Sequence, residues 1–259
     1  MSPLVFITGA SSGIGQALAA RYAAAGWRLA LVARRDHELR AWAAAAHGLS
    51  PGRWQAYHAD VSVTDSIVAA ANACMESQGI PDVVVASAGI SVGIDTAQRA
   101  DLDVMARIFA TNNTGLAATF HPFINPMKAR GNGTLVGIAS VAAIRGLPGQ
   151  GAYCASKAGV VNYCESLRAE LRPSGIRVVT LLPGFVDTPM TRGNPYPMPF
   201  LISAEDFAER ALRAIESRKS YCVIPWQMAI TAKLLRIVPD ALFDRVLLRL
   251  ARKPRQPGA

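Results

Sequence analysis

Little in this chain could hold a metal ion or build a disulfide framework. Its 259 residues include only four cysteines and four histidines. Cys74, Cys154, Cys164 and Cys222 have neither CxxC nor metal-ligand spacing, so reduced, mostly buried thiols are expected, and no metal. No uninterrupted apolar run approaches the ~18 residues a membrane span needs. Nor does a basic stretch followed by a long apolar one precede the first strand-like segment. No signal peptide is therefore expected, and a cytoplasmic location follows. Charged residues are sparse, 17% against 51% hydrophobic. That composition excludes disorder of the whole chain and supplies ample core. Only the end, residues 252–259, reads as unstructured, with 254–259 as a flexible tail.

The charge present is one-sided, a formal +9. Such a surplus suits nucleic acid, an anionic membrane or an anionic cofactor. No nucleic-acid-binding motif accompanies it, so no nucleic-acid partner is expected. Seven of the 27 basic residues follow Gln227, against two acids, Asp240 and Asp244, which places part of the excess at the C-terminal end.

Apolar strand-like runs (near 3–8, 29–33, 54–60, 82–87, 134–139, 177–182 and 220–225) alternate with helical patterns at 15–25, 64–78, 102–120, 152–172 and 204–216. Runs such as Leu29-Ala30-Leu31-Val32-Ala33 are apolar on both faces, as strands covered on both sides must be. Repeated β-α units predict one doubly wound α/β domain with a parallel sheet and helices on both faces. The expected division is a Rossmann-like body over 1–226, an amphipathic helical extension over 227–253, and the tail.

The first strand leads into Thr8-Gly9-Ala10-Ser11-Ser12-Gly13-Ile14-Gly15 and then a helix. A glycine-rich strand-to-helix turn lets backbone approach a pyrophosphate, which the helix N-terminus holds. Gly9, Ser11, Ser12, Gly13, Ile14 and Gly15 are candidate cofactor contacts. The same residues also read as G-x-S-x-G, an α/β-hydrolase elbow with Ser11 as nucleophile. That reading needs an acid and then a histidine downstream, whereas His37, His47, His58 and His121 all lie in the first half.

The second strand ends Val32-Ala33-Arg34-Arg35. Ala33 stands where an acid would hold the ribose of NAD(H), and arginine suits a 2′-phosphate. Arg34 and Arg35 therefore favour NADP(H), with NAD(H) as the alternative; a solvated basic loop is the plain reading. Asp60 and Val61, closing the third strand, are candidate adenine neighbours, although Asp60 is equally suited to cap a helix or turn.

Tyr153 and Lys157, four apart in a helical stretch, share one face. A phenol titrates near pH ~10 and needs help to exchange protons at neutrality. A neighbouring ammonium and a cationic nicotinamide would favour the phenolate, allowing Tyr153 to act as general acid or base.

Taken with Thr8-Gly9-x-x-x-Gly13-Ile14-Gly15, Asn112-x-x-Gly115, Ser140, Tyr153-x-x-x-Lys157 and Pro183-Gly184, the chain resembles the short-chain dehydrogenase/reductase family over roughly residues 4–190. The resemblance implies a seven-stranded sheet of order 3-2-1-4-5-6-7. It implies Tyr153 as proton donor or acceptor and Ser140 as hydrogen-bond partner of the substrate oxygen. Lys157 would bind the nicotinamide ribose and tune Tyr153, and Asn112 would anchor a water relaying protons from Lys157. Pro183, Gly184, Val186 and Thr188 would position the nicotinamide. A homodimer or homotetramer, formed through the helices near 102–120 and 152–172, is also implied. One departure stands out. Family members carry Asn-Asn-Ala-Gly after the fourth strand, and here the text is Ala86-Ser87-Ala88-Gly89. Ala88 and Gly89 therefore remain cofactor candidates, with altered local support from Ser87.

The segment 188–200, rich in proline with Met190, Tyr196, Met198 and Phe200, corresponds to the family's substrate cover and suggests a hydrophobic substrate, with a loop merely packed on the body as the alternative; the apolar end beyond 226, similar to that of the family's reductases of lipid-like ketones, implies a lipid-like one. Asp240 reads as the N-cap of a last helix whose stripe is Leu242, Phe243, Val246, Leu247 and Leu250. That stripe has three open destinations: its own domain or a second subunit, an anionic membrane surface, or a cap over the substrate pocket. The expected activity is NADPH-linked reduction of a ketone or aldehyde, or the reverse oxidation of an alcohol. A non-catalytic NADP(H)-binding sensor on the same fold is the alternative from another class.

Overall fold

Apolar residues on both faces of successive strands dictate the architecture. The computed structural model describes residues 2–46, 52–217, 219–247 and 252–255. Strands β1 (Leu4–Thr8), β2 (Arg28–Ala33), β3 (Trp54–His58), β4 (Val83–Ala86), β5 (Gly133–Ile138), β6 (Ile176–Pro183) and β7 (Tyr221–Ile224) form one sheet of order β3-β2-β1-β4-β5-β6-β7. Every pairing is parallel. This is the doubly wound Rossmann-like arrangement, with strands within two residues of the segments expected from periodicity.

Because side chains alternate along a strand, Val5 and Ile7 join the core on one face of the sheet, while Leu4 and Phe6 join that on the other. Helices α1 (Gly13–Ala24), α2 (Asp36–Ala45) and α7 (Ala204–Glu216) cover the first face through Leu18, Tyr22, Leu39, Phe207 and Leu212. Helices α3 (Thr64–Gln78), α5 (Gly115–Arg130) and α6 (Gly151–Leu171) cover the second through Ile67, Phe120, Phe123, Val160 and Leu167. Phe6 and Phe123 meet edge to face at 4.9 Å.

The helix expected over 102–120 differs in two ways. It begins at Arg99 as α4 (Arg99–Phe109), widens into one π-helical turn (Ala110–Thr114), and continues as α5 to Arg130 through Pro122 and Pro126. Each proline removes a backbone hydrogen bond. Phe120, Phe123 and Met127 are fully buried, and at about 1.5–3 kcal/mol per large apolar side chain their burial outweighs that loss.

Past β7 the chain forms α8 (Trp226–Ile237) and α9 (Asp240–Leu247). Asp240 is the first helical residue and not the cap that the sequence suggests; its carboxylate pairs with Arg145 at 2.5 Å. Phe243 and Leu247 are buried. Arg249 and Leu250 lie outside the described residues, as does the side chain of Val246. The loose tail expected from 252 onward is instead held at Pro254 and Arg255. Arg255 pairs with buried Asp101 at 2.6 and 3.0 Å, and Gly93 donates to the Pro254 carbonyl at 3.2 Å. Desolvated Asp101 requires a cation, and no pattern local to the tail reveals that. Residues 256–259 are outside the described set.

Candidate active site

A parallel sheet puts all its C-terminal strand ends on one edge. The reversal of strand order between β1 and β4 opens a crevice there. Thr8, at the end of β1, spans that gap: its Oγ1 accepts from Ser87 N at 3.2 Å and Ala88 N at 3.3 Å. The turn that follows is as tight as backbone allows. Gly9 has φ +68°, and a Cβ there would sit 2.8 Å from the Ala88 Cα. A Cβ on Gly15 would stand 2.3 Å from the Gly9 carbonyl oxygen. Only glycine leaves this cradle, with the start of α1 facing it, open to a phosphate group.

The cradle floors a cleft of about 270 Å³. The structure brings to it every cofactor contact expected from sequence: Gly9, Ser11, Ser12, Gly13, Ile14, Gly15, Arg34, Arg35, Asp60, Val61, Ala88, Gly89, Tyr153, Lys157, Pro183, Gly184, Val186 and Thr188. Ser87, the departure noted from the family motif, lines it too, and the structure adds residues that sequence reasoning did not single out, among them Ile90, Thr111 and Ala139. These are backbone-lined or small positions without any motif of their own; only their place at strand ends could have flagged them. The hydrolase reading fails here, because none of the described histidines lines the cleft beside Ser11.

At the end of the cleft beside β2 and β3, Arg34 lies 3.7 Å from the Asp60 carboxylate and Arg35 3.4 Å from Glu38, all four side chains substantially exposed. Asp60 also accepts from Ser62 N at 2.9 Å and Ser62 Oγ at 2.7 Å, so it is a turn cap that also borders the cleft. Burial would raise its pKa, but these bonds and the Arg34 guanidinium outweigh burial and hold the carboxyl below its ordinary value.

At the other end, Ser140 closes β5 and caps a short 3-10 turn, its Oγ accepting from Ala142 N at 3.1 Å. Tyr153 and Lys157 stand one turn apart on α6, with the Lys157 ammonium 5.9 Å from the Tyr153 ring centre. Ser140 and Tyr153 line the cleft together. Lys157 Nζ donates to the Ile138 carbonyl at 2.8 Å. Asn112 sits behind them, aimed inward by the π turn. Its Oδ1 accepts from Ile90 N at 2.9 Å, and its Nδ2 donates to the Ile90 carbonyl at 3.0 Å and to Ser156 Oγ at 2.9 Å. Ser156 in turn donates to the Tyr153 carbonyl at 2.8 Å, so Asn112 ties the loop after β4 to the helix carrying the tyrosine.

Protein groups alone do not lower the phenol as expected. Burial pushes Tyr153 up to about 12, with the polar Ser140 side chain opposing it, and burial pushes Lys157 down to about 8. Desolvation exceeds the effect of an ammonium nearly 6 Å away that is engaged with a carbonyl.

Ser140, Tyr153, Gly184, Met190 and Thr191 also line a second, larger cavity of about 610 Å³. Its walls are mostly apolar: Val141, Ile144 and Leu147 after Ser140, Phe185, Tyr196 and Pro197 from the segment 188–200 and its approach, and Met228, Leu235, Leu242, Phe243 and Leu247 from α8 and α9. Of the three destinations open to the last helix, it takes the roof of this pocket.

A dinucleotide cleft that ends at a Ser-Tyr-Lys set and opens there into an apolar chamber defines a nicotinamide-dependent oxidoreductase. The short chain dehydrogenase family model matches residues 3–196. An uncharacterized oxidoreductase of Myxococcus xanthus is 37% identical over 246 residues, covering 94% of this chain and 96% of that protein. A short-chain dehydrogenase from Sphingobium yanoikuyae in complex with NADPH superposes with a TM-score of 0.77 at 28% identity, covering 92% and 97% of the two chains. A Burkholderia phymatum short chain dehydrogenase/reductase in complex with NAD shares the fold with a TM-score of 0.81 at 24% identity, covering 100% and 98%. The chain belongs to the short-chain dehydrogenase/reductase family and is an oxidoreductase acting on CH–OH or C=O groups.

Proposed function

We propose that this enzyme reduces a bulky, apolar ketone or aldehyde with NADPH. The observation that carries the reading is the junction of the two cavities at Ser140 and Tyr153. The cradle at Gly9–Gly15 fits a pyrophosphate. Ala33 in place of an acid, with Arg34 and Arg35 beside it on the cleft wall, supports a 2′-phosphate and hence NADP(H) over NAD(H).

The bound nicotinamide supplies the hydride. The chain's own residues do the rest. The Tyr153 hydroxyl donates its proton to the carbonyl oxygen, on which negative charge develops, and the Ser140 hydroxyl hydrogen-bonds the same oxygen. Lys157, positively charged below about pH 8, binds the ribose and favours the phenolate left behind. Asn112 holds α6 and the β4 loop in register, and anchors the water that would return a proton to Lys157. Residues 1–226 are the catalytic body and 227–253 a C-terminal extension, whose helices α8 and α9 roof the pocket. The enzyme works as a cytoplasmic homodimer or homotetramer joined through α4, α5 and α6. Trp226, Ile230, Leu234 and Ile237, all more than half exposed along α8 beside Lys233 and Arg236, support peripheral contact with an anionic membrane.

Cofactor fluorescence and turnover against a panel of apolar ketones and aldehydes test this. NADPH should bind more tightly than NADH, and Arg34→Glu should reverse that order. Tyr153→Phe should keep NADPH binding while losing on the order of a thousandfold in kcat. Binding of neither nucleotide would sink the proposal.

A further inference from the structure

The apolar chamber is lined by two cations and, among the described residues, by no acid. Arg145 is committed elsewhere. It donates to the carbonyls of Leu235 and Val238, pairs with Asp240, and stacks over Phe243. Lys253 is different. Its Nζ donates to Ser91 Oγ at 2.9 Å, and no described carboxylate lies within ion-pair reach.

The tail is anchored so that this lysine stays inward. Immediately after it, Pro254 and Arg255 are tied to Gly93 and Asp101. A Cβ on Gly93 would stand 2.2 Å from the Lys253 carbonyl oxygen, so backbone lies directly on backbone there. A lysine on a free tail would extend its ammonium into water. Here burial lowers its pKa, an energetic cost that one serine hydroxyl does not offset.

We propose that Lys253, with Ser91, is a specificity-determining anion site, and that the substrate is an amphiphile: an apolar body carrying the reducible carbonyl plus a carboxylate or similar anionic group. The inference rests on the reading of this chamber as the substrate pocket. A carboxylate inside an apolar cavity with a single cation available gains a charge-assisted bond that an alcohol of the same length lacks.

Binding of decanoate and of decan-1-ol, measured by calorimetry at pH 7, tests it without requiring turnover. The wild type should bind decanoate at least about tenfold more tightly than decan-1-ol. Lys253→Met should abolish that preference and keep decan-1-ol affinity within about twofold, whereas Lys253→Arg should retain it. Lys253→Gln, which keeps a donor for Ser91, serves as the second neutral variant should the methionine disturb the tail. Equal affinities in the wild type, or a preference that survives in both neutral variants, overturns the anion site. Turnover separates the two readings. A decanoate preference without any Tyr153-dependent reduction of an oxo acid removes the reductase proposal and leaves the site. Reduction of decan-2-one with no preference for decanoate does the reverse.

Discussion

Arg145 gives the sharpest test of how the pocket roof is held. It follows the Ser140 loop and reaches the elbow between α8 and α9. Its guanidinium donates to the Leu235 carbonyl at 2.5 Å and the Val238 carbonyl at 2.6 Å, and lies 3.8 Å over the Phe243 ring. The Asp240 partner is 93% exposed, so that pair contributes little. Two hydrogen bonds from a charged donor, each worth about 1.5 kcal/mol at the low end, and a partly shielded cation–π contact near 1 kcal/mol sum to roughly 4 kcal/mol. Water recovers part of this at the carbonyls on truncation, leaving about 3 kcal/mol. Arg145→Ala should therefore raise the open population of the roof about a hundredfold. Amide hydrogen exchange reads this directly: α8 amides should exchange about a hundredfold faster, while α1 amides stay as they were. The KM for an apolar substrate should rise, with NADPH affinity unaltered. Protection of α8 within threefold of wild type would refute the idea that Arg145 latches the roof.

Two further outcomes follow from the cleft. Gly15→Ala places a methyl 2.3 Å from the Gly9 carbonyl oxygen and should lower stability by about 1–3 kcal/mol and weaken dinucleotide binding at least tenfold. Gly26→Ala, at φ +78° with open space around it, should cost only about 1 kcal/mol and leave binding intact; equal binding losses in the two would discredit the cradle. The pKa of Lys157 lies at about 8 in the folded protein, below that of an unfolded lysine. The buried ammonium therefore destabilises the fold in full below pH 8. Between there and the ordinary lysine range the unfolded chain binds more protons, so wild-type stability rises with pH. Lys157→Met should thus be more stable than wild type by on the order of 3 kcal/mol at pH 7 without cofactor, the gap closing by pH 10 to 11. Denaturant midpoints at the two pH values decide it, and a gap that does not narrow would disprove the depressed pKa.

Strand positions, the parallel sheet and the cofactor wall were legible because each rests on a local code. Doubly covered strands read as unbroken apolar runs, a phosphate turn needs glycines at set spacing, and Tyr153 and Lys157 sit one helical turn apart. What remained hidden depends on partners distant in sequence. Pro122 and Pro126 suggest a helix end, yet buried Phe123 and Met127 carry α5 through them. The phenol of Tyr153 is expected to be lowered by Lys157 together with a cationic nicotinamide, and in the chain by itself desolvation raises it. The tail looked loose because its composition is polar and proline-rich, while Asp101, more than 150 residues earlier, pins it.

By itself, then, the sequence determined the sheet, the dinucleotide cradle and the Ser-Tyr-Lys set, since hydrophobic period and motif spacing are properties of neighbouring residues. Only the tertiary structure decided where the C-terminal stripe goes, which cations line the chamber, and which way the titrating groups move. Those depend on desolvation and pairing between segments that meet only after the chain has folded.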